Sequence, residues 1–273
     1  MELDDSASDG RRAVVEPVTC SPPREISLAV STQAWRDVVF LHWPYEPSAL
    51  EHLVPAGTKL DVREGKTWVG VVGIRLTEVR IGGLLRLPYV GDFDELNVRL
   101  YTVGADGRRS TVFLAMEAGR LSVVTAARAL LRLPYSWSTV VRYRYGDIVG
   151  YKSSRRLPGP AGAGIGFTLR IQEPHQASTA EDFVTARWGT HTPWYGMPLY
   201  LPFAHEPWPL RSAELLDFAD EGLFAAVGVP APDGPPTSVL YAAQVRPRSG
   251  FPLPATVAGQ SCPSSHEGDQ GAC

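Results

Sequence analysis

In the stretch DFDELNVRLYTV (residues 92–103), charged or amide side chains alternate with large apolar ones at a period of two. That period belongs to an extended strand, whose successive side chains leave on opposite faces. Leu96, Val98 and Leu100 therefore line one face, and Glu95, Asn97, Arg99 and Tyr101 the other. A strand with one dry face and an ordered polar row constrains everything around it, because buried polar groups are costly unless they are partnered or used. Ala105-Asp106-Gly107 supplies turn chemistry, and residues 111–118 (TVFLAMEA) return as a more apolar strand with one acid, Glu117. Residues 121–133 then read as a helix that Pro134 ends, with Arg128 at the edge of its apolar face.

The strand pattern recurs along the chain. Residues 67–81 predict a long strand with Trp68, Gly70, Val72 and Ile74 on one face, Gly70 and Gly73 permitting a bend. Residues 35–41, 139–145, 147–154, 166–171 and 238–245 predict further strands, and Gly146-Asp147 a hairpin turn. Short helices are predicted over 47–53, 179–188 and 212–218. Residues 188–210 gather Trp188, Trp194, Tyr195, Tyr200, Phe203 and Trp208 with five prolines, predicting an irregular cover that suits an apolar pocket wall or a plain plug equally. The glycines of 157–166 predict a flexible loop, since GAGIG lacks the strand, helix and spacing of a dinucleotide fingerprint. The fold class expected is mainly β (α+β): an antiparallel barrel or curled double sheet with a few short helices.

Composition narrows the function classes. Twenty-six basic residues interleave with 29 acidic ones for a net charge of −3, which gives no field for a nucleic-acid backbone. The first ten residues carry no apolar core of a signal sequence, and no apolar run is long enough to span a bilayer. A cytoplasmic protein without a membrane partner is expected; homo-oligomerisation is left open. Cys20, Cys262 and Cys273 all lie near the ends, so neither disulfides nor a cysteine metal site is expected. Residues 1–28 and 251–273 are poor in core-forming side chains and predict disordered tails around a single domain, 29–250.

DELNVRLYT, VFLAMEA and AARALLRLPYSWS together resemble the DUF2071, or YqjF-like, family, as do His42-Trp43, Leu60-Asp61, GKTWVGVV (residues 65–72), residues 151–155 and residues 205–210. The likeness covers roughly residues 35–247. This family is in turn remotely similar to acetoacetate decarboxylase and its relatives, which implies a cone-shaped, mostly antiparallel β-barrel around a substrate cavity. Those relatives use a Schiff-base lysine in a Pro-Lys-Lys element about forty residues after a cavity glutamate, its amine pKa lowered by the neighbouring lysine. Here Glu95 takes the glutamate's place, but the later element reads Pro134-Tyr135-Ser136, and the lysines are Lys59, Lys66 and Lys152. Schiff-base decarboxylation is therefore not expected.

What remains is acid–base chemistry. Glu95, Arg128 and Tyr135 are the candidate catalytic residues, Tyr135 standing where the lysine would be and Arg128 aligning with an arginine of the relatives. An apolar cavity raises a carboxyl pKa and a neighbouring arginine lowers it, so the state of Glu95 depends on which it meets. Asn97, Arg99, His42, Trp43, Tyr151, Arg155, His205 and Trp208 are the candidate substrate-binding residues. A buried Glu-Arg-Asn network fixing strand register explains the same polar row. No cofactor is expected, and no metal, because the histidines lack ligand spacing. Two functions follow: a cofactor-independent lyase, isomerase or cyclase acting on an enolisable carbonyl or carboxylate, or a small-molecule-binding protein that has kept the barrel and lost catalysis.

Overall fold

In a computed structural model of the chain, residues 13–82, 85–86, 91–195 and 197–255 are described. The strands in chain order begin with β1 (Ser31–Tyr45), β2 (Thr58–Leu60), β3 (Thr67–Ile81), β4 (Leu85–Arg86), β5 (Phe93–Gly104) and β6 (Arg109–Ala118). Helix α1 (Leu121–Leu131) follows, then β7 (Tyr135–Tyr145), β8 (Ile148–Leu157), β9 (Gly164–Pro174) and helix α2 (Thr179–Thr185). After β10 (Gly189–Trp194), β11 (Met197–Ala204) and β12 (Leu210–Glu221) come the short helix α3 (Leu223–Ala226), β13 (Ser238–Val245), β14 (Arg248–Ser249) and β15 (Leu253–Pro254).

The strands form a mainly antiparallel curled sheet whose pairings return to their start, running β1, β13, β12, β9, β8, β7, β6, β5, β3 and back to β1. It is not a clean barrel, because the β12–β13 and β6–β7 links each hold only three residue pairs, the latter parallel. A looser return through β10, β11 and β14 joins β6 to β1 on the other side. The wall β1–β3–β5–β6 thus belongs to both circuits and has two interiors. One face is dry: Leu41, Val71, Leu96, Val98 and Leu100 are fully buried with Tyr151, Ile165 and Phe167 from the far side of the curl. Each such large apolar side chain contributes about 1.5–3 kcal/mol. The other face packs Phe40, Val72, Ile74 and Met116 beneath Val124 of α1, Leu210 and Trp208.

Several expectations require correction. Residues 212–218 are strand, not helix: a bulge between Leu215 and Asp217 shifts the inward phase by one residue, so Ala213, Leu215 and Phe218 face the core at spacings that imitate a helix. Residues 47–53 form two short 3-10 turns. The aromatic cover contains a regular hairpin, β10 with β11, despite its prolines. The expected tails fall only in part among the described residues. Residues 13–28 lie against the sheet, with Glu16 N–H bonded to the Gly107 carbonyl at 2.9 Å, Trp188 Nε1 to the Thr19 carbonyl at 3.0 Å, and Arg24 paired to Glu16 at 2.6 Å. A segment without a core of its own is ordered here by borrowed partners. At the other end β15 pairs with β11 and Ala255 is buried; the disorder expected for 1–12 and 256–273 lies outside the described residues.

Candidate functional site

The polar row of β5 faces the second interior. Glu95 and Asn97 are each 4 % exposed while Leu96 and Val98 opposite them are 0 %, and Arg99 is only partly buried. Glu95 accepts hydrogen bonds from the Tyr135 hydroxyl (2.7 Å) and from Asn97 Nδ2 (3.1 Å). Tyr135 reaches it because the parallel start of β7 pairs with β6, Tyr135 opposite Met116. Burial raises the Glu95 pKa to about 7, overriding the opposing pull of those two hydrogen bonds. Burial, then the charge of Glu95, lifts the Tyr135 phenol well above its ordinary value. The carboxyl thus stands ready to give or take a proton near neutrality.

Farther along the row, Arg99 Nε donates to the Tyr101 hydroxyl at 3.2 Å, and the same oxygen lies 2.8 Å from His42 Nε2. The guanidinium sits 5.5 Å from the ring centres of both Phe40 and Tyr101, and among the described residues no carboxylate pairs with it. Arg187, 2 % exposed, lies 5.1 Å from the Tyr101 ring centre, but it is paired at 2.6 Å with Asp61, which also takes Arg109. Burial, then Arg99 and Arg187, press the His42 pKa well below 6.5, so the imidazole is neutral.

Gly70 makes this cluster fit. A β-carbon there would lie 2.5 Å from the Tyr101 hydroxyl and 3.3 Å from both Arg99 Cγ and His42 Cδ2. Gly70→Ala is accordingly expected to cost about 1–3 kcal/mol by overpacking, and Tyr101→Phe, which removes the obstructing oxygen, to relieve most of that cost. Chemical denaturation of the two single variants and the double variant measures this coupling; additive effects would refute the contact.

Other expected site residues lie elsewhere. Arg128 is exposed and does not meet Glu95: its long side chain runs past the end of α1 and Nη1 donates to the Tyr135 backbone carbonyl at 2.6 Å. Trp43 and Tyr151 belong to the dry core, Trp43 bonded to the Gly234 carbonyl at 3.0 Å and Tyr151 to the Asp37 carbonyl at 2.8 Å. Arg155 is buried against Glu117, with Nε 3.1 Å from Oε1 and a second bond from Nη2, so it offers no free contact to an anion. His205 packs among Trp35, Trp188 and Trp208 in the aromatic cover. Trp208 touches both sides of that cover: it packs edge-on against Phe40 at 5.0 Å and lines a cleft of about 500 Å³ with Cys20, His175, Gln176, Asp182 and Thr185. Glu95 does not line this cleft. The sequence reading missed Arg187 and Asp61, and left Tyr101 and Gly70 out of the site although strand alternation already put them on its face.

This curled sheet with a polar row on an inner wall is the acetoacetate decarboxylase-like fold. Similar solved structures include the enduracididine biosynthesis enzyme MppR complexed with pyruvate (TM-score 0.59, 13 % identity, 83 % of this chain and 90 % of that one). An acetoacetate decarboxylase-like enzyme from Sphingomonas wittichii RW1 matches with TM-score 0.57 and 13 % identity over 83 % of this chain and 92 % of that one. Acetoacetate decarboxylase from Legionella pneumophila matches with TM-score 0.55 and 12 % identity over 85 % and 91 %. The chain itself belongs to the DUF2071 family, described as an uncharacterized conserved protein, whose model matches residues 32–246. The uncharacterized protein YqjF of Bacillus subtilis (strain 168) is 29 % identical over 209 residues, 76 % of this chain and 85 % of the relative. The fold is thus one that small-molecule enzymes use. Among the described residues no helix is long and apolar enough to cross a membrane.

Proposed function

We propose that this chain is a cofactor-independent enzyme that moves a proton on a small enolisable carbonyl compound, with Glu95 as the acid–base group. One observation carries the reading: Glu95 is buried without a cationic partner among the described residues and has a pKa near 7, held by a phenol and an amide. The ionised carboxyl takes a proton from the carbon beside the carbonyl. The C–H electron pair moves into the carbonyl to give an enolate, whose charge needs a donor. Once Glu95 is protonated it no longer requires the Tyr135 proton, which is then free to hydrogen-bond the enolate oxygen. Return of the proton to a different atom makes this an isomerase, and departure of a group from the enolate a lyase.

The lysines stand apart from this chemistry. Lys152 pairs with Glu221 at 2.6 Å, Lys66 pairs with Glu46, and Lys59 is exposed. Borohydride trapping with acetoacetate is expected to give no adduct; a lysine adduct dependent on the folded protein would overturn this part of the reading.

The test of the reading is proton exchange. In deuterium oxide, protein plus a panel of oxo acids, from pyruvate to longer chains with the ketone far from the carboxylate, is followed by proton NMR. Exchange beside the carbonyl above the buffer rate, lost in Glu95→Gln, is expected. Binding without exchange for every compound would instead make this a ligand-binding protein.

A further inference from the structure

Glu95, Asn97 and Tyr135 account for one end of the polar row and leave the other end without a role. Across the wall, Ser238 pairs with His42, His42 with Gly70, and Gly70 with Arg99. Directly opposed residues project on one face, so these four form a lateral row, and bare Gly70 lets Arg99 and His42 meet above it. Matching donors to acceptors fixes the imidazole. Arg99 Nε can only donate to the Tyr101 oxygen, and among the described residues His42 Nε2 is the acceptor within reach of the Tyr101 proton, so we assign the tautomer that accepts at Nε2 and carries the ring proton on Nδ1. Among the described residues that Nδ1, on a side chain with no exposed surface, has no partner, nor does the buried Oγ of Ser238. A guanidinium without a carboxylate, an unpartnered N–H and an unpartnered hydroxyl occupy one row.

Taking Glu95 as the acid–base group, we propose that Arg99, His42 Nδ1–H and the Ser238 hydroxyl anchor the carboxylate of an elongated oxo acid whose reacting carbon lies at Glu95. Position sets the length. Glu95 leans toward β7, where Tyr135 holds it, whereas the Arg99 guanidinium leans the opposite way, over Phe40 of β1. The two residues start four positions apart on β5, about 13 Å along the strand, and the guanidinium over Phe40 reaches back toward the level of Asn97, which leaves the ends separated by on the order of 10 Å. Since three chain bonds span about 3.6 Å when extended, a ligand that reaches both ends has roughly six to eight bonds between carboxylate and carbonyl. Pyruvate is too short to do so. Val72 and Met116, which oppose Asn97 from the two neighbouring strands, make the wall between the ends apolar, so a hydrocarbon middle takes the place of the side chains that now pack over them.

The test separates anchoring from chemistry. Octanoate, which carries no ketone, measures the anchor by calorimetry; pyruvate, levulinate and 7-oxooctanoate measure chain length by deuterium exchange. Arg99→Met is expected to weaken octanoate at least tenfold and Ser238→Ala about threefold, with thermal midpoints confirming that both variants fold, while Glu95→Gln changes octanoate affinity less than twofold. Nitrogen NMR of the imidazole is expected to show the proton of His42 on Nδ1 and a shift of that resonance on adding octanoate. Exchange is expected to be fastest for 7-oxooctanoate. Octanoate binding indifferent to Arg99 in a folded variant, or Glu95-dependent exchange as fast for pyruvate as for the long acid, overturns the anchor and leaves the acid–base reading standing. Arg99-dependent octanoate binding with no exchange of any oxo acid supports the anchor and overturns the acid–base reading alone.

Discussion

Glu95→Gln is expected to abolish proton exchange, by about a hundredfold or more, while making the protein more stable at alkaline pH. The sign follows from the direction of the shift. Burial raises the folded-state pKa to about 7 from an ordinary 4.5, so the native protein favours the neutral acid. The stability this contributes is complete below about pH 4.5 and is lost as pH rises through about 7. Above that, holding the bare carboxylate costs roughly 3 kcal/mol, two to three pKa units at about 1.36 kcal/mol each. Glutamine resembles the protonated acid in shape and has no charge to bury. Its amide can donate to Asn97 Oδ1, which has no partner among the described residues, once the Asn97 amide turns over. Denaturant unfolding at pH 5 and pH 9 tests this: the two proteins should agree within about 1 kcal/mol at pH 5, and the variant should lead by about 3 kcal/mol at pH 9. Equal destabilisation at both values would mean that Glu95 is an ordinary ionised member of a structural network.

The same contrast explains what was legible in the sequence. Period-two alternation in residues 92–103 placed Glu95, Asn97, Arg99 and Tyr101 on one face because only the local backbone decides which face a strand residue takes. Residues 67–81 and 238–245 were readable for the same reason, whereas the capping box of Ser178 and Glu181 that starts α2 emerged only in the structure. Whether a polar side chain is spent on structure or left for a ligand depends on partners far away in the chain. Arg155 is paired with Glu117, 38 residues earlier, and Arg187 with Asp61, 126 residues earlier. Arg99 meets no such acid among the described residues. No local pattern distinguishes these three arginines; the curl of the sheet does. Arg128 was misplaced for a related reason, since its position on α1 fixes where the side chain starts but not the carbonyl it reaches. The N-terminal segment was read as free because its composition cannot build a core, yet its backbone partners belong to the β5–β6 turn and the aromatic cover.

Arg155 and Glu117 should behave in the opposite way to Arg99 and Glu95. Glu117 has no exposed surface; it takes both Nε and Nη2 of Arg155 and accepts the Ser138 hydroxyl, so each of its oxygens is used. Removing one member of such a pair leaves the other charge buried and uncompensated, at a cost of about 3–5 kcal/mol. Arg155→Met and Glu117→Gln are therefore each expected to lower stability by that amount, a large part of what a domain typically has. The double variant Glu117→Met with Arg155→Met should recover much of it, because two apolar side chains of similar length demand no solvation. Octanoate affinity, measured where the variants remain folded, should be unchanged, since this pair ties β6 to β8 rather than facing the polar row. Urea unfolding of the single and double variants gives the coupling directly. If Arg155→Met proved nearly neutral in stability but weakened carboxylate binding, the ion pair would be a resting contact that a ligand displaces, and the anion site would move from β5 to β8.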